Sequence, residues 1–317
     1  MRSLKILLFR LIGVGIFIYL IMVVVNPKEL GRAFRSLDVH ALLWVIPLHL
    51  LQWTLRVLRW QILLRNEGIA ISFHENYAVA TAGFFLGCLT PGRVGEFAKV
   101  KFLMNAGYPF RGAFMSSLLE RILDLAALGV FVLLGITYCL PLFQATALAY
   151  GPVTLLLCGS IVVLFWVRSH LKALVLRLLP ETLAEGVERK MNIFRDSWRA
   201  ILGTQWLWIG FYSLAIWGLN YWMIHILFQG LGYSLSLLYS FSFAAFGSLA
   251  GLLPISVYGM GIRESLLIGL FALLRWPAPD TAGILFGLMF MVLLVYHVLL
   301  GFVWWMSPAM KRFVAKN

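Results

Sequence analysis

Negative charge is scarce in this chain: Asp and Glu number 13 against 26 Lys and Arg in 317 residues, and all charged residues together make up 12%. A soluble core of this size needs a charged shell, so a soluble globular protein is excluded. Period-2 alternation over long stretches is also missing, which excludes a porin-like barrel. No Walker loop, dinucleotide glycine pattern, metal-ligand pair or nucleophile elbow occurs. ATP-driven transport, a metal site, an organic cofactor and enzymatic chemistry are therefore not expected. Cysteines are few, and Cys88, Cys139 and Cys158 lie in or beside apolar segments without ligand spacing. They read as packing residues and carry no redox message.

What the chain has is oil. Hydrophobic residues make up 62% and the mean hydropathy is +0.90. Several runs reach about 20 residues, the length that crosses a bilayer as a helix. The fold class is all-α and polytopic, a single integral membrane domain over 1–317. The basic start reads as a retained first span, because Arg10 interrupts it and no small-residue cleavage site follows. A formal charge of +13 would suggest nucleic acid in a soluble protein. Here the basic residues sit in loops between spans, and anionic lipid is the expected partner.

Eight apolar segments can be marked: Leu4–Val25, Ala41–Leu64, Tyr77–Met104, Ala113–Tyr138, Pro152–Val167, Gln205–Phe228, Leu235–Leu274 and Thr281–Met306. The third is interrupted at "TPGRVGE" and the seventh at "PISVYGMGIRE". If all eight cross, the basic link 168–200 falls outside, against the positive-inside rule. If the third and seventh are re-entrant hairpins, that link and both termini fall in the cytoplasm, leaving six full spans. The two halves, about 1–139 and 150–310, then form an inverted repeat. Gly83, Gly87 and Pro91 in one half echo Gly247, Gly251 and Pro254 in the other. Paired broken segments at matching places are a sequence pointer to a transporter's binding site.

Backbone freed at such a break must be buried in protein or line a wet cavity. Arg93 stands beside the start of the returning half-helix, where free amides favour an anion and a guanidinium adds a fork matched to phosphate. Glu96 falls in that half-helix's first turn, suited to pair with Arg93 or to carry a proton. Lys99 is expected nearer the cytoplasmic surface, among head groups. Tyr258, Arg263 and Glu264 form the corresponding set at the second break. Glu120, Arg121 and Asp124 in "ERILD" share one stripe of the fourth segment, as a functional cluster or as an internal Arg121–Asp124 pair. Arg56 and Arg59 are expected to snorkel to the cytoplasmic interface with Trp60 as anchor. His225 and His297 read as hydrogen-bonded packing residues.

On "LTPGRVGEFAKV", "LLERILD", "LRVLRW" and "PISVYGMGIRE" the chain resembles the flippase-like family typified by the transmembrane region of lysylphosphatidylglycerol synthases. The resemblance covers nearly the whole chain. It implies a stand-alone member, since the chain stops at Asn317 and no synthase domain is expected. It further implies translocation of an anionic lipid or a polyprenyl-phosphate-linked lipid across the cytoplasmic membrane, with envelope-lipid enzymes as partners. Arg93 and Arg263 would bind phosphate, and Glu96 and Glu264 would couple to protons. Two other functions fit the same residues: a small-anion or solute channel, and a non-transporting scaffold.

Overall fold

The computed structural model describes residues 37–89, 95–139, 205–252 and 259–314. The first and fifth apolar segments, the basic link 168–200, Arg93 and Tyr258 lie outside the described residues. Every regular element within them is a helix. In chain order these are α1 (Val39–Asn66), α2 (Phe73–Leu89), α3 (Ala98–Asn105), α4 (Phe110–Cys139), α5 (Trp206–Gly230), α6 (Leu237–Ala250), α7 (Ile262–Leu273), α8 (Pro279–Trp305) and α9 (Lys311–Val314). Four of them, α1, α4, α5 and α8, are long and apolar enough to cross a membrane. Each matches one marked apolar segment, extended by a few residues.

The third and seventh segments are each two helices. In the third, α2 ends at Leu89, and a short 3-10 turn over 95–97 leads into α3. In the seventh, α6 ends at Ala250 and α7 begins at Ile262. Gly259 and Gly261 before α7 have φ of +78° and +84°, a conformation that costs glycine little.

Local chemistry sets the ends. The Asp38 carboxylate accepts the His40 N–H at 2.9 Å and caps α1, while Ser236 caps α6. Ser72 and Glu75 form a capping box at α2: the Ser72 N–H and Oγ–H donate to Glu75 Oε2 at 3.0 and 2.9 Å, and the Glu75 N–H donates to Ser72 Oγ. Pro279 opens α8, where its missing N–H is no loss.

Packing pairs the helices in a regular way: α1 with α5, α2 with α8, α4 with α6, α3 with α4, and α7 with α8; α2 also meets α3, and α6 meets α7. Glycines permit the closest approaches. A Cβ on Gly283 would stand 2.5 Å from the Ile268 N of α7, and one on Gly287 would stand 2.6 Å from Glu264 Oε1. Close approach through small residues is how helices associate where lipid supplies no hydrophobic drive. Phe228, Phe243, Phe271 and Phe286 fill the centre of the α5–α8 region, with the Phe228–Phe286 and Phe243–Phe271 rings 5.0 and 5.1 Å apart in edge-on geometry. Cys139 is buried, as a packing residue should be.

Candidate functional site

Helix α1 carries His49, Gln52, Arg56 and Arg59 at spacings of three and four, so all fall on one face of an otherwise apolar helix. That face turns inward. Arg59 has no exposed surface; its Nη2 donates to Asp124 Oδ1 of α4 at 2.7 Å and its Nη1 to Ser213 Oγ of α5 at 2.9 Å. Arg56 Nη1 donates to Asp124 Oδ2 at 3.1 Å, and both guanidiniums lie within 3.7 Å of Glu120 Oε1. The expectation that Arg56 and Arg59 snorkel to the interface is corrected, and Trp60 is wholly buried rather than an interfacial anchor. The physical reason lies one helix away. Glu120 and Asp124, four residues apart on α4, supply two buried carboxylates that need counter-ions more than the arginines need water.

Lys99 requires the same correction. It is buried, pairs with Glu120 and lies over the Trp60 ring at 4.6 Å. Its stem packs against α2, where a Cβ on Gly83 would stand 3.2 Å from Lys99 Cβ. Glu96, also buried, pairs with Arg121 of α4, and its side chain occupies the space a Cβ on Gly87 would need. An internal Arg121–Asp124 pair is thus not what neutralises α4. Both residues pair across helices, Arg121 with Glu96 and Asp124 with Arg56 and Arg59. Glu96, Lys99, Glu120, Arg121 and Asp124 therefore form one interhelical network.

The second set is separate from the first. Glu264 occupies the third position of α7, and its Oε2 accepts the Gly261 N–H at 2.6 Å. Its carboxylate thereby caps the half-helix, as a first-turn acid should. Arg263 is 2% exposed, with Nε 3.5 Å from Glu264 Oε1 and its guanidinium 4.4 Å over the Phe290 ring.

The two sets meet at a cavity of about 260 Å³. Arg56, Arg121 and Asp124 line it from the first half of the chain and Arg263 from the second. Gln52, Trp217, Asn220, Ser248 and His297 complete its polar wall, with Phe84, Phe97 and Phe290 as aromatic neighbours. Leu125 and Leu252, also in the wall, are 53% and 47% exposed, so the rim is apolar. Of the residues singled out from sequence, Arg121, Asp124 and Arg263 face this space. Glu96, Lys99, Glu120 and Glu264 sit behind, as partners of the arginines or of the backbone. Sequence reasoning missed Gln52, Arg56, Trp217 and Asn220. The stripe on α1 was the signal available for the first two, because four polar residues on one face of a membrane-length helix mark an interior face.

His225 and His297 hydrogen-bond as packing residues do. His225 Nδ1 meets Ser240 Oγ at 2.8 Å, and His297 Nδ1 lies 2.6 Å from the Leu293 carbonyl. No group of three metal-ligating side chains occurs among the described residues.

Long apolar helices around a buried charged cavity define a multi-pass membrane protein whose interior is built to hold something polar. The family described as the lysylphosphatidylglycerol synthase TM region matches residues 10–301, and the chain belongs to it. Two UPF0104 membrane proteins of Methanothermobacter thermautotrophicus are similar. One is 23% identical over 286 residues, 82% of each chain; the other is 23% identical over 281 residues, 81% of this chain and 83% of that one. A UPF0104 membrane protein of Pyrococcus horikoshii is 28% identical over 137 residues, 42% of this chain and 41% of its own. No solved structure matches the chain.

Proposed function

We propose that the protein moves an anionic or polyprenyl-phosphate-linked lipid across the cytoplasmic membrane, its head group passing through the cavity while its apolar chains stay in the bilayer. One observation carries the reading: Arg56, Arg121 and Arg263 converge on a single cavity whose only carboxylate among the described residues is Asp124. Guanidinium forks suit phosphate, and the exposed leucines at the rim suit acyl or prenyl chains. Family membership agrees with a lipid substrate. The protein then acts without covalent chemistry of its own, and its partners are anionic lipids and the enzymes that make them.

The packing pattern supports the inverted repeat of six spans and two re-entrant hairpins. Exchanging α1 with α5, α2 with α6, α3 with α7 and α4 with α8 turns the α2–α8 pair into α6–α4 and the α3–α4 pair into α7–α8. Lys99 follows Gly83 by the same sixteen positions that separate Arg263 from Gly247, and each packs on its glycine. Lys99, rather than Arg93, is thus the counterpart of Arg263. Both termini and the link 168–200 are placed in the cytoplasm by the positive-inside rule.

Proton coupling narrows to Glu96. The Glu264 carboxylate is committed to the Gly261 amide, whereas Glu96 is paired with Arg121 of the cavity wall. A head-group phosphate that engages Arg121 weakens its hold on Glu96 and favours protonation there. The test is reconstitution in liposomes with head-group-labelled lipids and an imposed pH gradient. Arg121→Gln and Arg263→Gln should abolish wild-type flux, and Glu96→Gln should remove its response to the gradient. Unchanged flux in the arginine variants would sink the proposal.

A further inference from the structure

Two groups in the cavity wall have no partner among the described residues. Gln52 Nε2 donates to the Ile216 carbonyl at 2.9 Å and contacts Asn220 Oδ1 at 3.4 Å. The Ile216 carbonyl can only accept, so it fixes the orientation of the Gln52 amide. Gln52 Oε1 is the remaining arm, a buried acceptor that receives nothing. On α5, the residue after Ile216 is Trp217, whose Nε1–H is a buried donor that gives to nothing. Both residues belong to the cavity wall, and Gln52 itself is only 3% exposed.

Buried polar groups are rarely left unpaired, and each orphan calls for an occupant. A hydroxyl both donates and accepts, so a polyol answers the Gln52 acceptor and the Trp217 donor together. An ammonium could answer only Gln52. It would also face the guanidiniums of Arg56, Arg121 and Arg263 where water screens little, and Asp124 is already held by Arg56 and Arg59. The cavity has room for a phosphate carrying a short polyol or one sugar ring.

We infer that the cavity selects a phosphodiester head group whose outer part is uncharged and hydroxyl-rich, glycerol or a sugar, and rejects head groups that carry an ammonium. The arginines take the phosphate, and Gln52 with Trp217 takes the hydroxyls. This rests on the reading of the cavity as a lipid head-group site.

The experiment is native mass spectrometry of the detergent-purified full chain titrated with short-chain phosphatidylglycerol, phosphatidylethanolamine, lysylphosphatidylglycerol and phosphatidic acid. Phosphatidylglycerol should bind at least about tenfold tighter than either ammonium-bearing lipid, since a site built around hydroxyls leaves its own polar groups unpaired with the wrong ligand. Trp217→Phe keeps an aromatic ring and removes the N–H, and Gln52→Leu removes the acceptor. Each should weaken phosphatidylglycerol several-fold and leave phosphatidic acid, which has no polyol, unchanged. Retained phosphatidic acid binding also shows that the variants are folded. Equal binding of phosphatidylethanolamine and phosphatidylglycerol, or variants that keep the wild-type preference, would overturn the inference. If phosphatidylglycerol and phosphatidic acid bind alike and Arg121→Gln weakens both, the head-group reading stands and the polyol assignment fails. If no phospholipid binds and Arg121→Gln and Arg263→Gln change nothing, the head-group reading fails first.

Discussion

At the residue scale the buried ions divide into those that hold the helices and those that face the cavity. Arg59 belongs to the first kind: it has no exposed surface and ties α1 to α4 and α5. Arg59→Leu should cost ~3–5 kcal/mol, because Asp124 and Glu120 lose a counter-ion they cannot exchange for water. Thermal unfolding in detergent would measure it, and adding Glu120→Gln should restore part of the loss. Glu264→Ala should cost about 1 kcal/mol through the lost cap, whereas Glu264→Gln keeps an acceptor for Gly261 and should cost less. The types and places of Arg121, Asp124 and Arg263 were legible from sequence, because ionisable residues inside apolar helices have few places to go. Their partners were not. Spacing along α4 relates Arg121 to Asp124, but only the approach of α1 and α3 decides that Asp124 takes Arg56 and Arg59 while Arg121 takes Glu96. Lys99 was misread for the same reason: a lysine eight residues past Pro91 reads as interfacial until Glu120 is seen behind it.

At the element scale the broken helices depend on glycine. Gly287→Ala would drive a methyl into Glu264 and should destabilise by roughly 1–3 kcal/mol, as overpacking does. Gly269→Ala, on α7 with nothing within 4 Å of its added Cβ, should be neutral or slightly stabilising. The paired comparison, read as a shift in melting temperature, separates close packing from helix propensity. Beyond α8, Arg312 of α9 donates to Glu75 Oε1 at 3.0 Å at the start of α2. Partial burial pushes the Glu75 carboxyl up, but hydrogen bonds from Ser72 and the Arg312 charge outweigh it and leave the group below its ordinary value. A carboxyl with a depressed pKa stabilises the fold above its unfolded value and loses that contribution as pH falls through the folded one. The stability difference between wild type and Glu75→Gln should therefore be present at neutral pH, small because the pair is partly exposed, and absent at pH values below the ordinary glutamate range. The breaks themselves were legible because Pro and Gly cannot continue an apolar helix. Which glycine receives which side chain was not, since Gly283 and Gly287 sit on α8, some twenty positions beyond the break they accommodate.

At the scale of the whole molecule, one structural theme is executed in two chemistries. Around α1 and α4 the helices are joined by Arg59, Lys99, Glu120 and Asp124, whereas around α5 to α8 the matching centre is filled by Phe228, Phe243, Phe271 and Phe286. An apolar cluster and a satisfied ion network can hold a fold about equally well, but only the network leaves charge beside the cavity. The asymmetry gives the interior a polar wall on the α1–α4 side, with Arg263 as the contribution of the other half. The central claim is that a lipid head group enters this space, and photocrosslinking tests it most directly. Membranes containing the full chain would be loaded with a phospholipid bearing a photoreactive head group, irradiated, and the adducts mapped by peptide mass spectrometry. Adducts should fall on Trp217, Asn220, Ser248 and their neighbours in the wall, and should vanish in Arg121→Gln with Arg263→Gln. Adducts confined to the outer faces of α1 and α5, and unchanged by those substitutions, would contradict the account.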